Sequence, residues 1–172
     1  MTEKGDLKMK FLKHIKKENI FVGDSTVVSP VEGIFVSANK INDPIFGEEM
    51  LGQTIGFVPI GKEIVCPVNG VVEMIFPTGH AFGIRGNDGN GYLVHVGINT
   101  VNLNGKGFNV YLKENQKVKA GQLAVKIDLD EIKRQGYDDT VILIVSEKGK
   151  EDFKVNYLDI DYVEKGQIIN NI

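Results

Sequence analysis

From Phe21 onward, short β-branched runs alternate with Gly, Pro and Asn punctuation, the pattern of a β-sandwich or barrel. The expected strands are Thr26–Ser29, Gly33–Ala38, Thr54–Pro59, Glu63–Cys66, Gly70–Phe76, Ala81–Arg85, Tyr92–Val96, Gln122–Ile127, Thr140–Ser146 and Tyr157–Val163. Within this body only Leu129–Gln135 reads as helical, stopped by Gly136. Ahead of it, Leu7–Lys17 has the spacing of a short amphipathic helix. Leu7, Phe11, Leu12 and Ile15 share one side, and Lys8, Lys10, Lys13, Lys16 and Lys17 take much of the rest. Residues 1–19 are thus expected to be a basic amphipathic segment, and 20–172 the folded domain. A helix this short is marginal in water, so the segment reads either as a solvated tail or as a cationic face for an anionic membrane surface.

Two near-repeats organise the body. Ser29-Pro30-Val31-Glu32-Gly33-Ile34 returns as Cys66-Pro67-Val68-Asn69-Gly70-Val71, and Val118-Lys119-Ala120-Gly121-Gln122-Leu123 returns as Val163-Glu164-Lys165-Gly166-Gln167-Ile168. Each fits a glycine turn feeding a strand, so the expectation is an all-β, antiparallel sandwich with a duplicated motif and only short helices.

Composition agrees, with 39 Ile and Val residues against only 4 Ala, the reverse of what a helical bundle uses. The net charge of −3 hides an uneven spread, because residues 1–19 carry +3 and the remainder −6. An acidic body makes a poor nucleic-acid binder. Cys66 is the only cysteine, which excludes an intramolecular disulfide and a cysteine zinc cage. No apolar run is long enough to span a bilayer as a helix, and the expected location is cytoplasmic, or peripheral at the inner face of the membrane through the basic segment.

Several stretches imitate functional loops. Gly56–Lys62 has P-loop spacing, but Glu63 stands where the magnesium-binding hydroxyl belongs and a strand follows instead of a helix. Gly105-Lys106-Gly107 lacks the third glycine of a dinucleotide loop, and Asn87–Gly91 lacks the closing Glu of a calcium loop. Cys66 lies in an apolar strand and reads as a buried structural thiol.

The unusual chemistry lies in two histidines. Thr78-Gly79-His80-Ala81-Phe82 and Tyr92-Leu93-Val94-His95-Val96-Gly97 flank the turn Gly86–Gly91. Pairing Arg85 with Tyr92 would place Phe82 opposite His95 and His80 diagonally on the same face, within reach of one ligand. A one-residue slip would send the rings to opposite faces. Two imidazoles on one face serve either metal ligation or nucleophilic capture of a phosphoryl group. A catalytic zinc site usually takes three protein ligands, and no third histidine exists in the body. Phosphoryl capture needs one free imidazole nitrogen, an anchor for the other, and a neighbour to stabilise the phosphoryl oxygens, which His80, His95 and the Thr78 hydroxyl satisfy without a metal.

These residues resemble the glucose-type IIA component of the bacterial phosphoenolpyruvate-dependent sugar phosphotransferase system. The resemblance runs from about Ser29 to Ile168. It includes Ser29-Pro30-Val31-Glu32-Gly33, Asp43-Pro44-Ile45-Phe46, Cys66-Pro67-Val68-Asn69-Gly70, Thr78-Gly79-His80-Ala81-Phe82 and Leu93-Val94-His95-Val96-Gly97-Ile98-Asn99-Thr100-Val101. It implies an antiparallel β-sandwich in which His95 accepts a phosphoryl group from the carrier protein HPr and passes it to a cysteine of a IIB domain. His80 would stabilise the phosphoryl, Thr78 would orient His80, and the Gly97 carbonyl would anchor the far nitrogen of His95. Asp43, Phe46, Phe76, Phe82, Val96, Asn99 and Val101 would meet the partners. Asn99 replaces a frequent Asp and Val96 a frequent Phe, and Gln53-Thr54 and Tyr92 also depart from the usual pattern; these changes bear on partner affinity more than on the chemistry.

The resemblance implies no required cofactor, and a monomer is the default expectation. Two further readings stay open: a regulatory module that binds other proteins through the same apolar face, and a zinc-dependent hydrolase on a related fold. Zinc held between His80 and His95 with a partner's carboxylate would be an intermolecular variant of the latter chemistry.

Overall fold

The structure is a computed structural model that describes residues 22–172, so the amphipathic reading of Leu7–Lys17 lies outside the described residues. Among the described residues there are eleven strands: β1 (Gly33–Ser37), β2 (Gln53–Pro59), β3 (Glu63–Val65), β4 (Gly70–Ile75), β5 (Ala81–Gly86), β6 (Gly91–Val96), β7 (Phe108–Val110), β8 (Lys117–Val118), β9 (Leu123–Ile127), β10 (Val141–Glu147) and β11 (Tyr162–Val163). They form an eight-stranded sheet in the order β11-β1-β2-β10-β6-β5-β4-β8 and a three-stranded sheet β3-β9-β7, with every pair antiparallel. The expected all-β sandwich is observed. Thr26–Ser29 contributes only a bridge between Val28 and Ile168, and the stretch from Tyr157 contributes a bridge to Asn170 before β11.

Two short helices interrupt the sheets. α1 (Pro44–Gly47) begins at the proline that suits a first helical turn, and α2 (Leu129–Arg134) is capped by Asp128, whose Oδ1 accepts from the Glu131 N–H at 3.0 Å. Gly136 follows in the left-handed region and ends α2 as expected.

The main core lies between the sheets and includes Phe57, Ile64, Phe82, Tyr92, Val94, Val96, Val125 and Leu143. A second, smaller cluster lies on the outer face of the large sheet: Ile41, Phe46, Ile98, Ile142 and Ile144, with Val36 and Leu93 against it. Side chains alternate across a strand, so β6 and β10 each feed both clusters. Tyr92, Val94 and Val96 point inward, while Leu93 and His95 point outward.

The duplicated motifs build a pseudo-two-fold. Val28 N–H donates to Pro67 O and Val65 N–H to Pro30 O, both at 2.8 Å, so each copy of the Pro-containing segment bonds the other at the same offset. The glycine turns repeat the relation, with Gly121 N–H donating to Cys66 O at 2.8 Å and Gly166 N–H to Ser29 O at 2.9 Å. Gly33 faces Val163 in β11 just as Gly70 faces Val118 in β8. The order of the large sheet is therefore a palindrome: β11-β1-β2-β10 matches β8-β4-β5-β6, with the seam between β10 and β6. His95 lies on that seam, opposite Ile142.

Candidate active site

His95 occupies the outer face near the end of β6, half-buried on the second cluster. Its Nδ1 lies 2.8 Å from the Gly97 carbonyl. A carbonyl only accepts, so Nδ1 carries the proton and Nε2 keeps a free lone pair. The chain can turn back this tightly because residue 97 is glycine. Its φ is +77°, and an added Cβ would lie 2.3 Å from Thr100 Cγ2 and 2.8 Å from the Asp138 carbonyl. Gly97 N–H donates to Thr140 O and Ile98 N–H to Asp138 O, each at 2.9 Å, which ties the turn to the chain entering β10.

His80 approaches from the turn between β4 and β5. Gly79 there adopts a φ of +73°, and its N–H donates to Phe76 O at 2.7 Å. The His80 ring is 4% exposed, and its Nδ1 lies 2.6 Å from Thr78 Oγ1. Its centroid is 4.9 Å from that of His95, with the rings nearly perpendicular at 80°. The two imidazoles do meet.

They meet by another route than the expected register. Arg85 pairs with Gly91 instead of Tyr92, and Ala81 instead of Phe82 lies opposite His95. Gly91 joins β6, which shifts the ladder by one residue. Strict alternation would then turn His80 toward the main core, but residues 79 and 80 form a bend before β5 begins. The bend releases His80 from the pleat, and its ring turns to the His95 face.

Two of the expected partner-contacting residues are corrected by the structure, Phe82 by this register and Val96 by its place next to His95 on the same strand. Phe82 is 1% exposed and Val96 0% exposed, and both lie in the main core on the face opposite His95. Neither presents side-chain surface to a partner. Asp43, Phe46 and Phe76 lie beside the two rings, and Asn99 and Val101 are exposed after the turn at Gly97. Asp43 Oδ1 accepts from Ile45 N–H at 2.9 Å and Phe46 N–H at 3.3 Å, capping α1 and fixing Phe46, whose ring centroid is 5.0 Å from that of His95. Phe76 stacks edge-on against His80 at 5.3 Å. Asn99 is exposed in the left-handed region, which asparagine tolerates, and Val101 is 47% exposed.

Apolar surroundings set the protonation state. Burial, reinforced by the neighbouring His80, pushes His95 down from 6.5 to about 4, against the opposing pull of the Gly97 carbonyl and Asp43. Burial also lowers His80. Both rings are neutral at pH 7. Ile41, Ile98, Ile142 and Ile144, which support the site from below, were not singled out from the sequence as site residues; for Ile142 and Ile144 the apolar run of β10 was the only signal. A neutral imidazole with one open nitrogen, beside a second imidazole and among apolar walls, suits nucleophilic capture and release of a charged group. Among the described residues no group of three His, Cys, Asp or Glu side chains could hold a metal ion.

Residues 25–169 match the family model described as phosphoenolpyruvate-dependent sugar phosphotransferase system, EIIA 1. The chain is 39% identical over 145 residues to the PTS system glucose-specific EIICBA component of Staphylococcus carnosus, covering 84% of this chain and 20% of that protein. It is 34% identical over 174 residues to the glucoside-specific EIICBA component of the same organism, covering 99% of this chain and 24% of that protein. The chain thus spans about a quarter or less of the curated relatives it matches. Its fold is similar to that of glucose permease IIA from Mycoplasma capricolum, with a TM-score of 0.79, 29% identity, and coverage of 84% of this chain and 93% of that one.

Proposed function

The chain belongs to the EIIA 1 family of the phosphoenolpyruvate-dependent sugar phosphotransferase system, a phosphotransferase component, and from that premise we propose that His95 is its phosphoryl carrier. The observation that carries the residue assignment is the His95 Nδ1–Gly97 carbonyl bond, which leaves Nε2 as the open nitrogen beside His80. Phospho-HPr brings its phosphoryl group to Nε2; the N–P bond of the donor breaks as the His95 N–P bond forms. A IIB domain then takes the group on a thiolate, returning His95 to neutral imidazole. Passage between groups of this kind is mainly a matter of positioning and charge stabilisation.

His80 is the stabilising neighbour. With the Thr78 hydroxyl donating to its Nδ1, its Nε2 carries the proton and donates to a phosphoryl oxygen. Phe46 and Phe76 wall the two rings against water, and these with Asp43 and the exposed Asn99 and Val101 would meet the partner. The working place this reading implies is the cytoplasmic side. No helix among the described residues is long and apolar enough to cross a membrane.

Incubation with phosphoenolpyruvate, enzyme I and HPr tests the assignment. An acid-labile, alkali-stable label on the chain, lost in His95→Ala, is expected. A label that persists in His95→Ala overturns it. In His80→Gln, His95 is expected to accept the group and pass it on poorly.

A further inference from the structure

We infer that Thr100 is a positioning residue for both active-site imidazoles, acting through the Val96 carbonyl; the inference rests on His95 being the carrier. Thr100 is 0% exposed, and its Oγ1 donates to Val96 O at 2.5 Å. Val96 N–H in turn donates to His80 O at 2.7 Å. In a regular antiparallel ladder such a pair exchanges two hydrogen bonds, with the His80 N–H returning to the Val96 carbonyl. Here the bend at Gly79–His80 swings His80 out of the ladder, and the Thr100 hydroxyl serves the Val96 carbonyl. The bend that brings His80 to His95 leaves a buried acceptor, and Thr100 satisfies it. A buried carbonyl without a donor costs about 1–3 kcal/mol, so without that hydroxyl the chain is drawn toward closing the ladder and withdrawing His80.

The same side chain holds the other anchor. Its Cγ2 lies where a Cβ on Gly97 would be, 2.3 Å from the ideal position, so the methyl packs directly against the Gly97 backbone. Beside it, the Asp138 and Thr140 carbonyls accept the Ile98 and Gly97 N–H groups, and Asp138 Oδ1 accepts from the Thr140 N–H at 2.8 Å and hydroxyl at 2.6 Å. The peptide whose carbonyl fixes the His95 tautomer is held by Thr100 and this turn together. Being wholly buried, Thr100 touches no partner. It acts through Val96 and Gly97 alone.

Three measurements on Thr100→Val and Thr100→Ser test this. The valine keeps the shape and loses the hydroxyl, while the serine keeps the hydroxyl. Ring ¹⁵N shifts of the unphosphorylated protein at pH 7 report the His95 tautomer, steady-state transfer from phospho-HPr separates kcat from KM, and thermal unfolding reports the fold. In Thr100→Val the methyl stays against Gly97 while the Val96 carbonyl loses its donor, so the expected result is a single Nδ1–H tautomer of His95, a kcat down on the order of 10- to 100-fold through displacement of His80, and a KM within about twofold of the parent, as misplacement of a reacting group predicts. Thr100→Ser keeps the donor but removes the methyl from Gly97, and a mixed His95 tautomer is expected. Parental kcat in Thr100→Val overturns the inference for the hydroxyl, and a Thr100→Ser variant that melts normally with a single His95 tautomer overturns it for the methyl. The serine variant tests the contact with Gly97 even where the valine variant does not fold. A parent chain that takes no phosphoryl group on His95 would instead sink the carrier assignment itself.

Discussion

Holding His95 neutral among apolar walls has a cost that pH can expose. The ring titrates near 4 in the folded protein and at 6.5 when unperturbed. Above pH 6.5 it is neutral in folded and unfolded chains alike, and the stability is fully present. Between about 6.5 and 4 the unfolded chain binds a proton that the folded chain refuses, so stability falls as the pH falls through this window, and levels off below it. At 1.36 kcal/mol for each pH unit between the two values, the ceiling is about 3 kcal/mol, and partial exposure of the ring brings the expectation to about 2 kcal/mol. The groups facing the ring are accounted for: His80 pushes its titration lower, and Asp43 and the Gly97 carbonyl pull it back. The measurement is urea unfolding of the parent and His95→Gln at pH 7 and pH 4, comparing the two losses. Contributions of groups away from the ring, such as Glu63, are present in both chains and largely cancel in the difference, while His80, in contact with residue 95, is followed by its own NMR titration in each chain. The parent should lose about 2 kcal/mol more than the variant. Parallel losses, or an NMR titration placing His95 at 6 or above, refute the reasoning. The same neutrality predicts phosphoryl acceptance that is flat from pH 6 to 8.

Gly97→Ala should destabilise the fold by about 2–4 kcal/mol in chemical denaturation, since it strains a residue with φ +77° and drives a methyl group into Thr100 and the Asp138 carbonyl; a parental midpoint would mean the turn yields freely. Asn99→Asp adds a negative charge at an exposed left-handed position on the rim, so it should speed association with a basic carrier several-fold at low salt and lose the gain at high salt, as stopped-flow mixing would show. A salt-independent change would remove electrostatics as the cause.

The strands were legible because β-branched alternation between glycine turns is a strong local signal, and the duplicated Ser/Cys-Pro-Val and Gly-Gln segments pointed to the pseudo-symmetry before any pairing was visible. Register was not legible. Whether Gly91 belongs to the turn or to β6 depends on the packing of the 86–91 connection, where Asp88 takes hydrogen bonds from Asn90 and the Tyr92 hydroxyl. That single residue moved Phe82 from the expected site face into the core. Val96 was a different case, for its adjacency to His95 on one strand already required it to face away. The run Val141-Ile142-Leu143-Ile144-Val145 hid the floor of the site, because a strand buried on both faces is apolar throughout and its two sets of side chains cannot be told apart by pattern. β7 and β8 are short, and strands of two or three residues have no period to read.

The palindromic sheet explains why these particular segments meet. The connection from β1 to β2 and the connection from β4 to β5 are counterparts under the pseudo-two-fold, and both run over the same face toward the seam. The first has become α1, which lays Phe46 on one side of His95; the second is the Gly79 bend, which lays His80 on the other. A seam strand therefore receives an apolar wall from one half and a polar partner from the other. The central ring gains both the desolvation that keeps it neutral and the hydrogen-bonding neighbour a transferred phosphoryl group requires. Two identical connections could not supply both. The duplication sets the place of the site, and the divergence of its two loops sets the chemistry.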